Sequence, residues 1–278
     1  MEIIGRYVDV AGTRIYTETA GSGPRILLLH SAGRETRQWH GVMARLSDRF
    51  CLTAVDLPGH GKSYPLPGHG LLSSVEDIAA WLSELAEVAF AGDDYAVMGC
   101  SIGGNLSLLM GALYPDRVRA AIALQGADHT PALSEAGLEM LLHPMLNPMQ
   151  GSVEFSRTLM GSRTTAEGAD FMLWTAKVGD PVCRYHDLGA YTRCDIREQM
   201  AKVRCPTLLV HGDEDWIVPR SRVDATAGRL INAAECSVVS LPGIGHAPHV
   251  EDPQALTAVV RGFLERHLVA PDARGAPA

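Results

Sequence analysis

The stretch Tyr95–Leu113 leaves few architectures open. A short apolar run, Tyr95-Ala96-Val97-Met98, passes through Gly99-Cys100-Ser101-Ile102-Gly103 and continues with helix-like character through Leu106–Leu113. A strand that turns directly into a helix through small residues predicts a sharp elbow that holds the Ser101 hydroxyl clear of the backbone, above a sheet. Glycine is expected at 99 and 103 because side chains two residues to either side of the serine would collide in so tight a turn. The pentapeptide alone is a modest signal, since a serine that only caps the following helix has the same surroundings. Chemistry at Ser101 requires a base, an acid and an oxyanion site from elsewhere in the chain.

The flanking sequence alternates in the way such an elbow needs. Ile3–Thr19 alternates around Gly12 and reads as a hairpin, and Gly21–Pro24 breaks the chain. Arg25–Leu29 carries a continuous apolar run, the pattern of a strand covered on both faces. Thr36–Leu46 has helical spacing, Phe50–Val55 reads as a strand, Val75–Phe90 as an amphipathic helix and Val118–Leu124 as a strand. Strands alternating with helices predict an α/β fold, a mostly parallel sheet with helices on both faces. From 127 to 202 the alternation lapses into Met-, His- and Gly-rich helical fragments. It resumes with strands at Thr207–Val210 and Cys236–Leu241 and helices over Arg222–Asn232 and Pro253–His267. The economical division is a core domain of 1–126 and 203–269, a helical insertion at 127–202, and a flexible tail of small residues at 270–278.

Composition narrows the partners. A net charge of −8 over 278 residues argues against a nucleic acid and against an anionic membrane surface. No apolar run of about 18 residues exists to span a bilayer, and Met1–Arg6 lacks the basic-then-apolar order of a signal peptide. The six cysteines form no Cys-x-x-Cys pair, so reduced thiols in a cytoplasmic protein are expected. Eleven histidines form no His-Glu-x-x-His or comparable cluster, so no metal is expected, and nucleophilic chemistry at Ser101 needs no cofactor. The expected partner is a small molecule, with a second copy of the chain left open.

In an open parallel sheet, reactive groups gather beyond the carboxyl ends of strands. After the strand ending at Val210 come Asp213, Glu214 and Asp215; after the strand ending at Leu241 come His246 and His249. A loop acid or a loop histidine alone is usually just solvated. Their joint placement after successive strands, in the order serine, acid, histidine, is much harder to obtain by accident.

With these loops in view, the chain resembles the α/β-hydrolase fold superfamily, in its branch of small cap-bearing esterases, lactonases and C–C hydrolases. The resemblance runs from about Tyr7 to His267. It rests on the Ser101 elbow, His30-Ser31-Ala32-Gly33 as an oxyanion loop, Asp56-x-x-Gly59-x-Gly61-x-Ser63, Gly212-x-x-Asp215-x-x-x-Pro219, and Gly245-His246 before Glu251-Asp252-Pro253. It implies an eight-stranded sheet with the 127–202 insertion as a cap. By position it implies Ser101 as nucleophile, His246 as base and acid, Asp215 as the orienting acid with Asp213 as the alternative, and the backbone N–H groups of Ala32 and Ile102 as the oxyanion hole. Ser31 stands where the family usually has glycine, and it either adds a hydroxyl near the substrate or only fills space. Cys100 is read as a small core residue, and His249 as packing or substrate-side. Ser31, His129, Trp174 and Trp216 are the substrate-contact candidates, and cap residues such as Met140, Met145, Met172 and Tyr191 suit an apolar pocket.

The activity implied is cleavage of a carboxylic ester or lactone of a small-to-medium, largely apolar substrate through an acyl-enzyme. Position 101 as serine excludes the Asp-nucleophile dehalogenases and epoxide hydrolases of the fold. Ala247 weakens the C–C hydrolase resemblance, because those enzymes usually carry Trp after the histidine. Thioesterase, amide hydrolase, receptor and cofactor-free oxygenase or perhydrolase stay as alternatives.

Overall fold

A computed structural model describes residues 1–131, 134–143 and 147–269; Met145 and the 270–278 tail lie outside the described residues. The hairpin strands are β1 (Ile4–Val10) and β2 (Thr13–Ala20). They are followed by β3 (Arg25–Leu29), β4 (Cys51–Val55), β5 (Tyr95–Cys100), β6 (Val118–Leu124), β7 (Thr207–Gly212) and β8 (Cys236–Leu241). All eight join one sheet in the order β1-β2-β4-β3-β5-β6-β7-β8. Strand β2 runs antiparallel to both of its neighbours, and every pair from β4 to β8 is parallel. The expected mostly parallel, eight-stranded α/β architecture is what forms.

Both faces of the sheet are covered at its centre, which is why the central strands read as continuous apolar runs, while β1 and β8 at the edges are largely exposed or half-buried. Successive side chains alternate between two cores. Leu27, Leu29, Val97 and Ala121 enter one, and Ile26, Leu28, Ala96, Met98 and Ile122 enter the other. The helices are α1 (His40–Leu46), α2 (Val75–Phe90), α3 (Ile102–Leu113), α4 (Glu135–Glu139), α5 (Pro148–Thr158), α6 (Ala166–Val178), α7 (Pro181–Thr192), α8 (Arg220–Ala227), α9 (Pro248–Glu251) and α10 (Pro253–Leu268). Helix α2 starts where expected because the Ser74 side chain accepts the Asp77 N–H, and it stops at Ala91 in the left-handed region. Two spans differ from expectation. The first turn of Thr36–Leu46 is a 3₁₀ turn over Thr36–Trp39 before α1. The helix expected over Arg222–Asn232 instead starts after Pro219, whose fixed φ suits a helix entry, and it ends at Ala227. No helix among the described residues is long and apolar enough to cross a membrane.

Between β6 and β7, helices α4 to α7 pack among themselves and against the core. Arg34 bridges from the core side, its guanidinium donating to the Ser156 hydroxyl of α5 at 2.9 Å and to the Thr175 carbonyl of α6 at 3.3 Å.

Two imidazoles sit inside the core in the neutral form. His30 donates from Nδ1 to the Ser31 carbonyl at 2.9 Å and accepts the Leu57 N–H at Nε2, 3.2 Å away. His249 stacks on Trp39 with ring centroids 4.5 Å apart, so it is a packing residue. Burial pushes His30 down to about 4 and His249 down to about 3; the neighbouring imidazoles of His60 and His246, respectively, act in the same direction. The unfolded chain therefore takes up protons at these sites below its ordinary value near 6.5, while the folded chain does not until well below pH 5. Stability contributed at neutral pH is lost as pH falls, by about 2 kcal/mol per imidazole between pH 7 and pH 5. The expected result is that His249→Leu loses about 2 kcal/mol less than the parent over that interval, measured by urea unfolding at both pH values. Equal losses in the two proteins would contradict a neutral, buried His249.

Candidate active site

Ser101 occupies the turn between β5 and α3 with φ 59° and ψ −120°. That is a strained, left-handed setting for a residue with a side chain. A Cβ added at Gly99 would run into the Gly103 carbonyl, and one added at Gly103 would come within 2.5 Å of the Leu29 carbonyl oxygen. The glycines thus have the steric reason expected of them. Cys100 points the other way: fully buried, its thiol donates to the His246 carbonyl at 3.3 Å. Burial raises its pKa, so it is a core thiol, inert as a nucleophile.

The acid and histidine loops meet beyond β7 and β8. His246 Nδ1–H donates to Asp215 Oδ2 at 2.8 Å. Asp215 also accepts the Ile217 N–H at 2.8 Å and the Val218 N–H at 3.3 Å. Asp213 instead faces solvent and accepts the Gly243 N–H at 2.6 Å, so of the two aspartates Asp215 is the one that meets the histidine. The His246 loop is gripped from three sides. Glu251 is fully buried and accepts N–H groups from Gly245 (2.9 Å), Ala247 (2.7 Å) and Gly161 (2.8 Å), with the Thr164 hydroxyl at 2.7 Å. The His246 N–H donates to the Leu159 carbonyl at 2.8 Å. Gln125 Nε2 donates to the Gly245 carbonyl at 2.6 Å and the Gly212 carbonyl at 3.3 Å, joining the acid loop to the histidine loop.

The loop His30–Gly33 is held from both ends. Gln38 Oε1 accepts the Ser31 N–H at 3.1 Å, and Asp187 of α7 accepts the Gly33 N–H at 2.7 Å. Asp187 also accepts from His60 Nε2 at 3.0 Å, while His60 Nδ1 donates to the Pro58 carbonyl at 3.1 Å. Burial alone would push His60 down, but the Asp187 charge and hydrogen bond outweigh it and raise its pKa; Asp187 is held low in turn. With both ring nitrogens donating, His60 is an imidazolium, and the pair is a buried link between α7 and this loop. The Ile102 N–H is the first amide of α3 and has no acceptor within its helix.

Ser101, His246, Ser31 and Ala32 all line one cavity of about 820 Å³. Its wall is largely apolar, including Met140, Phe155, Leu159, Met172, Leu188 and Ile217. Of the expected substrate contacts, Ser31 and Trp216 line it; Trp216 sits at the edge, 59 % exposed, its indole N–H donating to the Thr158 carbonyl at 2.8 Å. Two expectations fail. His129 is drawn into a bridge with Asp195, away from the cavity. Trp174 lies on the outer side of α6, against Phe171 and under the Arg37 guanidinium at 4.4 Å. Sequence reading missed Tyr191 as a specific contact, along with Gln38, Thr130, Arg34, Arg184 and Arg222, all of which line the cavity. Burial and then the Asp215 charge push the Tyr191 phenol up, opposed by the Arg222 charge and by hydrogen bonding to Thr130 and Ser101. Tyr191 is therefore a neutral hydroxyl beside Ser101. Among the described residues, no group of three or more His, Cys, Asp or Glu side chains has the arrangement of a metal site.

The model of the alpha/beta hydrolase family matches residues 26–259. The chain is 28 % identical over 253 residues to a pimeloyl-[acyl-carrier protein] methyl ester esterase of Nitrosomonas europaea, covering 86 % of this chain and 95 % of that protein. In structure it is similar to a thermophilic esterase from Thermogutta terrifontis, with a TM-score of 0.82 at 21 % identity, covering 95 % of this chain and 99 % of that one. It is likewise similar to the enol-lactonase from Burkholderia xenovorans, with a TM-score of 0.81 at 19 % identity, covering 93 % and 99 %. At such identities the two structures speak to the fold alone.

The grip of Glu251 on the histidine loop yields a stability prediction. Glu251→Gln keeps the shape but turns one acceptor oxygen into a donor facing other donors. It is expected to cost about 2–4 kcal/mol in urea unfolding. A change below about 0.5 kcal/mol would show that the loop is held without this carboxylate.

Proposed function

We propose, from the premise that this chain belongs to the alpha/beta hydrolase family, that it is a carboxylic ester hydrolase working through Ser101, His246 and Asp215. The observation that carries this reading is the 2.8 Å contact from His246 Nδ1 to Asp215 Oδ2 beside a cavity that His246 shares with the strained Ser101. Nδ1 is committed to Asp215, which leaves Nε2 as the nitrogen that takes the Ser101 proton. Serine then attacks the ester carbonyl, and the oxyanion rests on the N–H groups of Ala32 and Ile102, each such donor worth about 10²–10³ in rate. The imidazolium formed is stabilised by Asp215 and gives its proton to the departing alkoxide. Water activated by the same imidazole then releases the acid.

The 127–202 insertion acts as a cap in this reading. Its apolar side chains favour a small-to-medium, largely apolar acyl or alcohol part, an ester or a lactone. The curated relative named for methyl ester cleavage supports ester over amide. Tyr191, kept neutral, serves as a hydrogen-bond donor beside the nucleophile.

Ser101→Ala is expected to abolish turnover of p-nitrophenyl esters with an unchanged circular dichroism spectrum, and retained turnover would sink the nucleophile assignment. Asp215→Asn is expected to lower kcat by about 10³–10⁴, and Asp213→Asn by less than about fivefold, in the same assay. Equal losses would remove Asp215 from its role. Labelling by a fluorophosphonate without multiple turnover on an ester and lactone panel would favour a receptor over an enzyme.

A further inference from the structure

We propose that the cavity recognises a substrate carrying a free carboxylate, held by Arg34 and Arg184 beside the oxyanion loop, so that the preferred ester is a half-ester or another ester of an acid-bearing compound. The proposal rests on the hydrolase reading above and adds the chemical class of its substrate.

The charge balance of the wall comes first. In a chain of net charge −8, the cavity is lined, among the described residues, by Arg34, Arg184 and Arg222 and by no Asp or Glu. None of the ion pairs among the described residues includes any of the three. Arg34 reaches only neutral acceptors, the Ser156 hydroxyl at 2.9 Å and the Thr175 carbonyl at 3.3 Å. Arg184 donates from Nη2 to the Pro148 carbonyl at 3.0 Å, and its Nε is buried without a partner. A guanidinium stays charged in a protein, and its five N–H donors match a planar carboxylate.

Holding two such cations side by side, partly buried and with no counter-ion among the described residues, is costly, and an anionic ligand relieves the cost. The strain registers on both groups. Burial and the neighbouring Arg184 charge push Arg34 down to about 10, and burial lowers Arg184 as well.

Their position ties them to the chemistry. The Arg184 stem lies on the oxyanion loop so closely that a Cβ at Gly33 would come within 2.5 Å of Arg184 Cβ. Arg34 follows Gly33 directly in the chain. Carboxylate and scissile carbonyl would therefore share one cavity. The competing view is that Arg34 is only a strut to α5 and α6. A strut explains its two contacts, but it gives no account of the partnerless Arg184 Nε or of a wall that, among the described residues, has cations and no acid.

The test uses the full chain and three matched probes: the mono-p-nitrophenyl ester of adipic acid, p-nitrophenyl hexanoate as its neutral counterpart, and the equivalent ester ending in a phosphonate. The parent is expected to favour the adipate probe over hexanoate by at least about tenfold in kcat/KM. Arg184→Gln is expected to cut that preference at least about tenfold, mostly through KM, with Arg184→Lys recovering part of it. Thermal melts of the variants separate this loss from misfolding. Equal or faster hydrolysis of hexanoate by the parent, or a preference unmoved in Arg184→Gln, would overturn the proposal. Preference for the phosphonate would overturn the carboxylate assignment. A calorimetric titration of Ser101→Ala with adipate separates the two readings. Arg184-dependent adipate binding in a protein whose parent turns over none of the esters would support anion recognition while the hydrolase reading fails. Ester turnover with no such binding would overturn the anion proposal alone.

Discussion

The backbone of Ser101 is the constraint to which the rest of the molecule answers. A non-glycine residue at φ 59° and ψ −120° costs of order 1–3 kcal/mol, and it persists only where its surroundings over-determine it. Here they do. The Ser101 N–H donates to the Leu124 carbonyl at 2.9 Å, and its own carbonyl accepts the Asn105 N–H at 3.0 Å. Asn105 is locked by Ala127 and Thr130, whose bonds to its side chain measure 2.9 Å and 3.2 Å. Glycines at 99, 103, 104 and 126 let β3, β5, β6 and α3 approach where any Cβ would strike backbone. The strain is spread over the centre of the sheet, where the chain is least free to relax.

Around that point the structure uses buried carboxylates as fasteners for loops. Asp56 accepts the Thr36 and Lys62 N–H groups at 2.7 Å and 2.8 Å, and burial raises its pKa to about 6. Asp187 fastens the His30–Gly33 loop, Asp215 the loop after β7 and Glu251 the loop after β8. Buried acids that accept several backbone donors replace lost hydration and fix geometry at once, which a hydrophobic contact does not do. These carboxylates lie behind the cavity, while its wall is apolar with cations that form no ion pair among the described residues. That contrast separates the parts suited to chemistry from the parts suited to selection.

How far the site was legible depended on whether its residues follow strands. Ser101, Asp215 and His246 stand out in the sequence because each lies just beyond the carboxyl end of an apolar run, where a parallel sheet gathers side chains. The choice of Asp215 over Asp213 rested on spacing within the resembling motif; the contact itself needed the turn at Gly212, which aims Asp215 inward and leaves Asp213 in solvent. His129 and Trp174 were misplaced for a different reason. Both lie after the last strand before the insertion or within it, where no sheet fixes direction; His129 is held by a backbone bridge to Asp195, and Trp174 packs on Phe171. Gln125 left no sequence signal, although its φ of 49° and its bonds to Gly212 and Gly245 join two loops some 87 and 120 residues away.

The sequence by itself determined the α/β fold, the sheet and its elbow, because these follow from apolar period and turn chemistry acting over a few residues. Only the tertiary structure decided which helices of the insertion present Met172 and Tyr191 to the cavity, that Arg184 rests on Gly33, and that no acid among the described residues joins it in the cavity wall. The contact of Arg184 with Gly33 joins segments 151 residues apart. Burial, charge and hydrogen bonding at such places are properties of the assembled neighbourhood, and no local pattern in the chain encodes them.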